Sequence, residues 1–379
     1  MKKKLVVGIT APGSVVLIAG QLKYFKELGY ETYLLAPNHP SVIAYCATEE
    51  CIHLPVDFER EIAPLKDIKA FFQVIKHLKR VQPDVVNLGT PKVSLLGMIV
   101  SRMLGIKKRI YTCRGYRFEH EKGLKRTLLI LNDKLVCFLS HHVICISNSV
   151  KQLGLDNQIF SDTKAILINK GSSNGVNLDL FKRDKINQEA REEFIQKYNL
   201  SDKFVFGFVG RVIDRKGVNE LYTVFEELSK QYPEIVLLMI GPYEKSQLKD
   251  PDLQSKYESH PNIISLGKIN QEEIPLYMTL MDVFVLPAWW EGFGNVLIQA
   301  AAVNVPVIST TGTGTIDAVE DGFNGVLIPV ADVSALKKAM LQLYTDKELR
   351  EKYGNNGLVW VKNFDRFLIW NEMDKIYKS

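Results

Sequence analysis

Cysteine is scarce in this chain: Cys46, Cys51, Cys113, Cys137 and Cys145 are an odd five among 379 residues, with no CxxC pair. That excludes a disulfide-stapled secreted scaffold and a zinc knuckle. It fits a reducing cytoplasm, where Cys113 and Cys145 fill strand positions as small apolar groups. Long apolar runs are missing too. The longest, Ser94 to Ile106, is broken by Arg102 and is too short to cross a bilayer. The opening MKKKLVVGIT has no small-residue cleavage site and turns at once into Ala11-Pro12-Gly13, so it reads as a first strand, Leu5 to Thr10, not a signal peptide. Short repeats and low-complexity segments are absent. No GxGxxG follows the first strand, which argues against a dinucleotide oxidoreductase. No Asp-x-Asp pair lies in a suitable cleft loop, so neither a divalent metal nor another cofactor is expected. The net charge of +5 is too mild for a nucleic-acid-binding face, but suits a phosphate-bearing partner or an anionic membrane.

What is present is an ordinary soluble balance, 46% hydrophobic and 24% charged, in a chain long enough for two domains. Short apolar runs alternate with amphipathic ones. In the first half the strands are Leu5–Thr10, Thr32–Ala36, Asp84–Leu88, Arg109–Cys113 and Val143–Ser147, with helices over Val15–Leu28, Leu65–Val81 and Leu124–Leu139. The second half repeats the rhythm with Phe204–Val209, Val236–Ile240, Ile263–Leu266, Val283–Leu286 and Val305–Ser309. This pattern predicts an α/β protein with two Rossmann-like, doubly wound parallel-sheet domains and a cleft between them. The crossing is placed in Gly171-Ser-Ser-Asn-Gly-Val176, after a strand Ala165–Ile168. The expected division is an acceptor-binding domain over 1–172, a nucleotide-sugar domain over 173–362, and a terminal helix over 363–379 that packs back on the first domain.

Ligands of open parallel sheets bind beyond the carboxyl ends of the strands. Gly210-Arg-Val-Ile-Asp-Arg-Lys-Gly217 leaves strand Phe204–Val209, with Arg211 at the strand end and Lys216 at the entry to helix Val218–Lys230. Both cations can reach one anion there, as a diphosphate leaving group requires. The alternative is surface charges paired with Asp214 or Glu220. A second loop, Pro287-Ala-Trp-Trp-Glu-Gly-Phe-Gly-Asn295, leaves strand Val283–Leu286 and opens a helix. Gly292 and Gly294 allow a tight turn against a ligand, and the helix start offers free N–H groups to an anion. Glu291 is placed to accept hydrogen bonds from sugar hydroxyls, and Asn295 and Gln299 share one helical face. The competing reading is a glycine-rich turn with a buried glutamate salt bridge.

Taken together these residues resemble the retaining glycosyltransferases of the GT-B fold, family 4. The carriers are Phe208-Val-Gly-Arg211 with Lys216-Gly217, Glu291-Gly-Phe-Gly-Asn-Val-Leu-Ile-Gln-Ala300, Asp317-Ala-Val-Glu-Asp-Gly-Phe-Asn-Gly325 into Leu327-Ile-Pro329, and Asn174-Gly175-Val176. Gly20-Gln-Leu22, Thr90-Pro-Lys92 and Tyr111-Thr-Cys-Arg-Gly115 are similar to a subgroup that builds capsule, O-antigen or other lipid-linked glycans. The resemblance implies that Arg211 and Lys216 bind the donor diphosphate, and that Glu291 with the backbone of Gly292, Phe293 and Gly294 holds the donor, beside Gly210 and Asn295. Gln299 stands where the family usually has a second glutamate on the ribose. It keeps hydrogen bonds but loses the charge. Arg114-Gly115 replaces the usual histidine-glycine pair.

On the N-terminal side, Thr10-Ala-Pro-Gly-Ser14 leaves the first strand toward the cleft, so Gly13 and Ser14 are expected to face the donor. Arg114, Lys92 and His120 are candidates for the acceptor: Arg114 for a phosphate or else a structural ion pair, Lys92 for a diphosphate or else simple solvation, His120 as a base or else a solvated side chain. The implied reaction moves a hexose or N-acetylhexosamine, from a UDP-sugar, to a polyprenyl-diphosphate-linked glycan with retention of configuration. A sugar-nucleotide epimerase or hydrolase, and a non-catalytic sugar-nucleotide binder, are the rival readings. Lys107-Lys-Arg109 and Lys122–Arg126, with Phe118 and Leu124, suggest contact with anionic lipid at the inner face of the plasma membrane.

Overall fold

The computed structural model describes residues 2–59 and 63–379. The chain forms two units, Met1–Asn174 with Phe367–Ser379, and Gly175–Arg366. The first contains seven strands: β1 (Lys4–Gly8), β2 (Glu31–Ala36), β3 (Ile52–Pro55), β4 (Val85–Leu88), β5 (Lys108–Cys113), β6 (His142–Cys145) and β7 (Ala165–Leu167). They pair in parallel in the order β3-β2-β1-β4-β5-β6-β7. The second contains β8 (Phe204–Val209), β9 (Ile235–Ile240), β10 (Ile263–Ser265), β11 (Val283–Leu286), β12 (Val307–Thr310) and β13 (Gly325–Ile328). These too are parallel, in the order β10-β9-β8-β11-β12-β13. Helices cover both faces of such a sheet, so β4, β9 and β11 are buried at every position and show no polar alternation. The two doubly wound domains expected from the sequence are therefore present.

In each sheet the chain winds outward from its first strand, returns, and winds outward the other way. The reversal falls between β1 and β4 in one sheet and between β8 and β11 in the other. Loops leaving those four strands frame the crevices where such sheets accept ligands.

Two edge strands, β3 and β13, were not expected. Ile52–Pro55 is one-sided, with a single fully buried position, and carries no continuous apolar run. The helix expected over Val15–Leu28 is broken: a 3-10 segment Pro12–Ile18 comes first, and the α-helix begins only at Gln21. Gly20 takes a left-handed φ of 80° at the break. Its N–H, at 2.7 Å, and that of Lys23, at 3.0 Å, both donate to the buried Glu49 carboxylate, which caps the new helix from outside its own sequence. On one face of the first sheet, Ile369, Trp370, Met373 and Tyr377 of helix Arg366–Lys378 complete the core around Leu5, Phe25 and Ile110.

Helix Gly123–Leu139 turns Val136 and Cys137 into the core of the other face. Burial pushes the Asp133 carboxyl up to about 7, against smaller opposing effects of the Asn132 hydrogen bond and the Arg117 charge. A folded-state value above the usual carboxylate range means the native protein holds a proton that the unfolded chain has released. Stability therefore falls as pH rises from about 4 to about 7. Asp133→Asn is expected to raise the melting temperature at pH 8, by an amount worth at most about 4 kcal/mol, and to change little near pH 4. Thermal melts of both proteins across that range check it.

Candidate functional site

The second unit's crevice is built by glycine at two close approaches. Gly210 follows β8, and its carbonyl lies so near Gly241 that a Cβ there would meet it at 1.8 Å. Gly217 ends the 3-10 turn Asp214–Lys216 at φ 71°, where a Cβ would sit 2.0 Å from the Pro287 carbonyl oxygen. The turn left by β8 is thereby pressed against the loop left by β11. Asp214 pins it, accepting from Asn219 Nδ2 at 2.8 Å and from the Lys249 amide at 2.9 Å. Trp289 closes the seam: its amide donates to the Arg215 carbonyl at 2.8 Å and its indole to Glu220 at 2.9 Å.

At this seam Lys216 forms an ion pair with Glu291, and Arg215 stands 3.6 Å from the same carboxylate. The Lys216 and Glu291 side chains are only 11% and 15% exposed, so their attraction is weakly screened. Arg215 also donates to the Trp290 carbonyl at 3.2 Å and lies over that ring. Just beyond, Gly294 at φ 74° begins helix Asn295–Ala302, with no side chain capping its start. Behind it, the Glu291 amide donates to the Thr313 carbonyl at 2.8 Å, and Gly312 and Gly314 permit that contact, since a Cβ on either would strike the Trp289–Gly292 backbone. Two cations, a carboxylate and a helix start therefore share one crevice, an arrangement that can take a diphosphate and hydrogen-bond a sugar.

Arg211 and Lys216, expected to share one anion, are held by different carboxylates. Arg211 is held by Glu244, beyond β9, at 3.0 Å, and the cation beside Lys216 is Arg215. The pairing of these charges with Asp214 or Glu220 is not seen either; Asp214 serves backbone and Asn219, and Glu220 holds Trp289. Phe293, expected to meet the donor through its backbone, has its ring buried against Phe364, 5.2 Å between centroids. Asn295 and Gln299 are half-buried one turn apart, and Gly292 lies on the turn as expected. The sequence reading missed Arg215, Glu244 and Gly312-Thr-Gly314. Arg215 adjoins Lys216 in the same loop, and the other two lie just beyond strands, the signal that could have found them.

In the first unit Gly13 is exposed in open space and the Ser14 amide donates to Ala11 at 2.9 Å, both in the 3-10 segment rather than at an α-helix start. Lys92 pairs with Asp67 at 2.7 Å, so a carboxylate from helix Pro64–Val81, rather than solvent or a ligand, offsets its position at a helix start. The Thr90 hydroxyl donates to Thr10, which itself accepts from the Val93 amide. His120 is exposed, 3.7 Å from Glu119. Arg114 follows β5, half-buried, and burial pushes its pKa down to about 10.

Two family models match. One, described as Glycosyltransferase Family 4, covers residues 13–179, and one described as Glycosyl transferases group 1 covers residues 190–360. The capsular polysaccharide biosynthesis glycosyltransferase CapM of Staphylococcus aureus is 32% identical over 372 residues, 98% of this chain and 96% of its own. An Escherichia coli UDP-Gal:alpha-D-GlcNAc-diphosphoundecaprenol alpha-1,3-galactosyltransferase is 28% identical over 326 residues, 81% and 80% of the two chains. Among solved structures, Anabaena HepE in complex with UDP and glucose superposes with a TM-score of 0.81 over 98% of each chain at 16% identity, which speaks for the fold. Joined to the crevice between β8 and β11, these likenesses identify the chain as a glycosyltransferase, a member of family 4 with the GT-B fold.

Proposed function

We propose that the enzyme transfers a hexose or N-acetylhexosamine from a UDP-sugar to a polyprenyl-diphosphate-linked glycan in surface polysaccharide biosynthesis, with retention of configuration and without a divalent metal. The observation that carries this reading is the Arg215–Lys216–Glu291 cluster beside the uncapped start of helix Asn295–Ala302. As the bond from the sugar to the diphosphate breaks, the leaving oxygens gain charge, which Lys216, Arg215 and the helix amides offset. Arg211 joins them on exchanging Glu244 for phosphate. Glu291, relieved of Lys216, accepts from a sugar hydroxyl. The acceptor hydroxyl attacks the anomeric carbon from the leaving-group side, and its proton passes to the departing phosphate oxygen. Support for the substrates comes from the E. coli relative, whose name contains a UDP-sugar and a diphosphoundecaprenol glycan, and from CapM, named for capsule synthesis.

The test is transfer of labelled sugar from a panel of nucleotide sugars to a short-chain polyprenyl-diphosphate saccharide, with and without EDTA. Transfer unaffected by EDTA is expected; strict dependence on manganese overturns the metal-free reading, and no transfer from any donor overturns the whole. At the ribose position, Gln299→Glu is expected to tighten UDP binding about fivefold, since a charged acceptor makes the stronger hydrogen bond. Calorimetric titration with UDP measures this, and unchanged affinity removes Gln299 from the donor site.

A lipid-linked acceptor calls for access to a membrane surface, which Lys122, Leu124 and Lys125 can reach but Phe118 and Arg109 cannot. Phe118 is fully buried, and Arg109 is buried while donating to the Ile106 and Leu139 carbonyls. Helix Gly123–Leu139 instead exposes Leu124, Leu128, Leu131, Leu135 and Phe138, one stripe at helical spacing next to Lys122 and Lys125. Flotation with phosphatidylglycerol vesicles is expected for the native protein and lost in Leu131→Glu/Phe138→Glu; equal flotation of both removes this face from the reading.

A further inference from the structure

We propose that Arg114 is the core of an anion site in the first unit that receives the diphosphate of the acceptor. The identity of the ligand rests on the acceptor class proposed above, whereas the site rests on the geometry alone. Arg114 leaves the carboxyl end of β5, and its guanidinium lies over the residue that follows β4: a Cβ on Gly89 would stand 1.5 Å from Nη1. Only glycine leaves room for it there. Although half-buried, the guanidinium makes no hydrogen bond or ion pair with any described residue, and its Nε is buried without a partner.

The same strand shows how this fold treats a structural arginine. Arg109, also buried, donates to the carbonyls of Leu139 and Ile106 at 2.7 Å each and lies 3.0 Å from the His141 ring. Arg114 has the same five N–H donors and no such set of acceptors. The titratable groups that act on it are Tyr111, Tyr377 and Cys113, each neutral at pH 7 and none a carboxylate. It stays protonated at neutral pH, because even its lowered value is about 10. A half-buried cation with a partnerless Nε costs the folded chain, which is explained if a ligand brings the anion.

A planar fork of donors suits phosphate oxygens, and neutral sugar hydroxyls would leave the charge uncompensated. Of the two diphosphates in the proposed reaction, the donor's is provided for in the other unit by Arg215 and Lys216. At the Arg114 edge of the first sheet, Lys92 is already neutralised by Asp67, and Thr10 and Thr90 bond each other. Among the described residues Arg114 is the cation at this edge with a buried, unpartnered nitrogen, and the remaining diphosphate is the acceptor's.

The experiment compares the full-length native protein with Arg114→Gln and Arg114→Lys, using UDP and farnesyl diphosphate as separate probes. Without ligand, Arg114→Gln is expected to melt higher than the native protein, because an unpaired buried charge has gone. Farnesyl diphosphate, added with UDP saturating, raises the melting temperature of the native protein but not of Arg114→Gln. The KM for the lipid-diphosphate acceptor rises at least thirtyfold, UDP affinity stays within twofold, and Arg114→Lys recovers part of the loss. A lower melting temperature for Arg114→Gln with unchanged KM overturns the proposal in favour of a structural role. Weaker UDP binding with an unchanged acceptor KM overturns it in favour of the donor. If farnesyl diphosphate binds through Arg114 but no sugar reaches any lipid-diphosphate acceptor, the anion site stands and the proposed function fails.

Discussion

Glu291→Ala is expected to lower turnover by about a hundred- to a thousandfold, the scale seen when one preorganised polar contact to a transition state is removed. Stability should fall with it. The carboxylate neutralises Lys216 and stands beside Arg215, so its loss leaves two cations in a poorly hydrated crevice. Breaking a buried pair from one side costs about 3 kcal/mol. Lys216→Ala is expected to be the milder change for the fold, because Glu291 keeps Arg215 at 3.6 Å, yet it still removes most turnover by taking a charge from the leaving diphosphate. UDP should restore more thermal stability to Glu291→Ala than it adds to the native enzyme, since the ligand's anion replaces the missing carboxylate. Melting curves with and without UDP, alongside initial rates, measure all of this. Native rates and native melting in Glu291→Ala would show that the crevice lies elsewhere.

Gly217→Ala is the second change with a large expected effect. At φ 71° an alanine carries about 1–2 kcal/mol of backbone strain. Its Cβ would also lie 2.0 Å from the Pro287 carbonyl, a backbone atom that cannot rotate away. The turn carrying Arg215 and Lys216 must then separate from the loop carrying Glu291. A total loss of about 3 kcal/mol is expected, within the range of severe single substitutions. Denaturant unfolding gives the stability, and a UDP titration reports the site; a stable variant that binds UDP normally would show that the close approach is dispensable.

How far the sequence revealed the site differs from loop to loop. The β8 and β11 loops stood out because glycine, a cation and a helix start follow strands that are apolar throughout, and that is a local pattern. Glu291 was legible for the same reason. Which cation would meet it was not: Arg211 and Arg215 lie in one loop, and their directions are fixed by Gly210, Gly217 and the Trp289 contacts, not by spacing. Phe293 sits within the recognisable segment, yet its ring belongs to the core through Phe364, far along the chain. The Val15–Leu28 helix failed because Glu49 caps a start at Gln21 that periodicity alone does not mark.

By itself, then, the order of apolar runs, glycines and charges determined two doubly wound parallel sheets, the strand-end loops of the candidate site, and the family. These are properties of short windows, where side-chain period and backbone permissiveness act directly. Only tertiary structure decided which protein group each charge meets. Asp67 neutralises Lys92, Glu244 holds Arg211, Glu291 holds Lys216, and no described residue answers Arg114. Each of those partners is a contact between distant positions, and whether a buried charge is paired depends on what the completed fold places beside it.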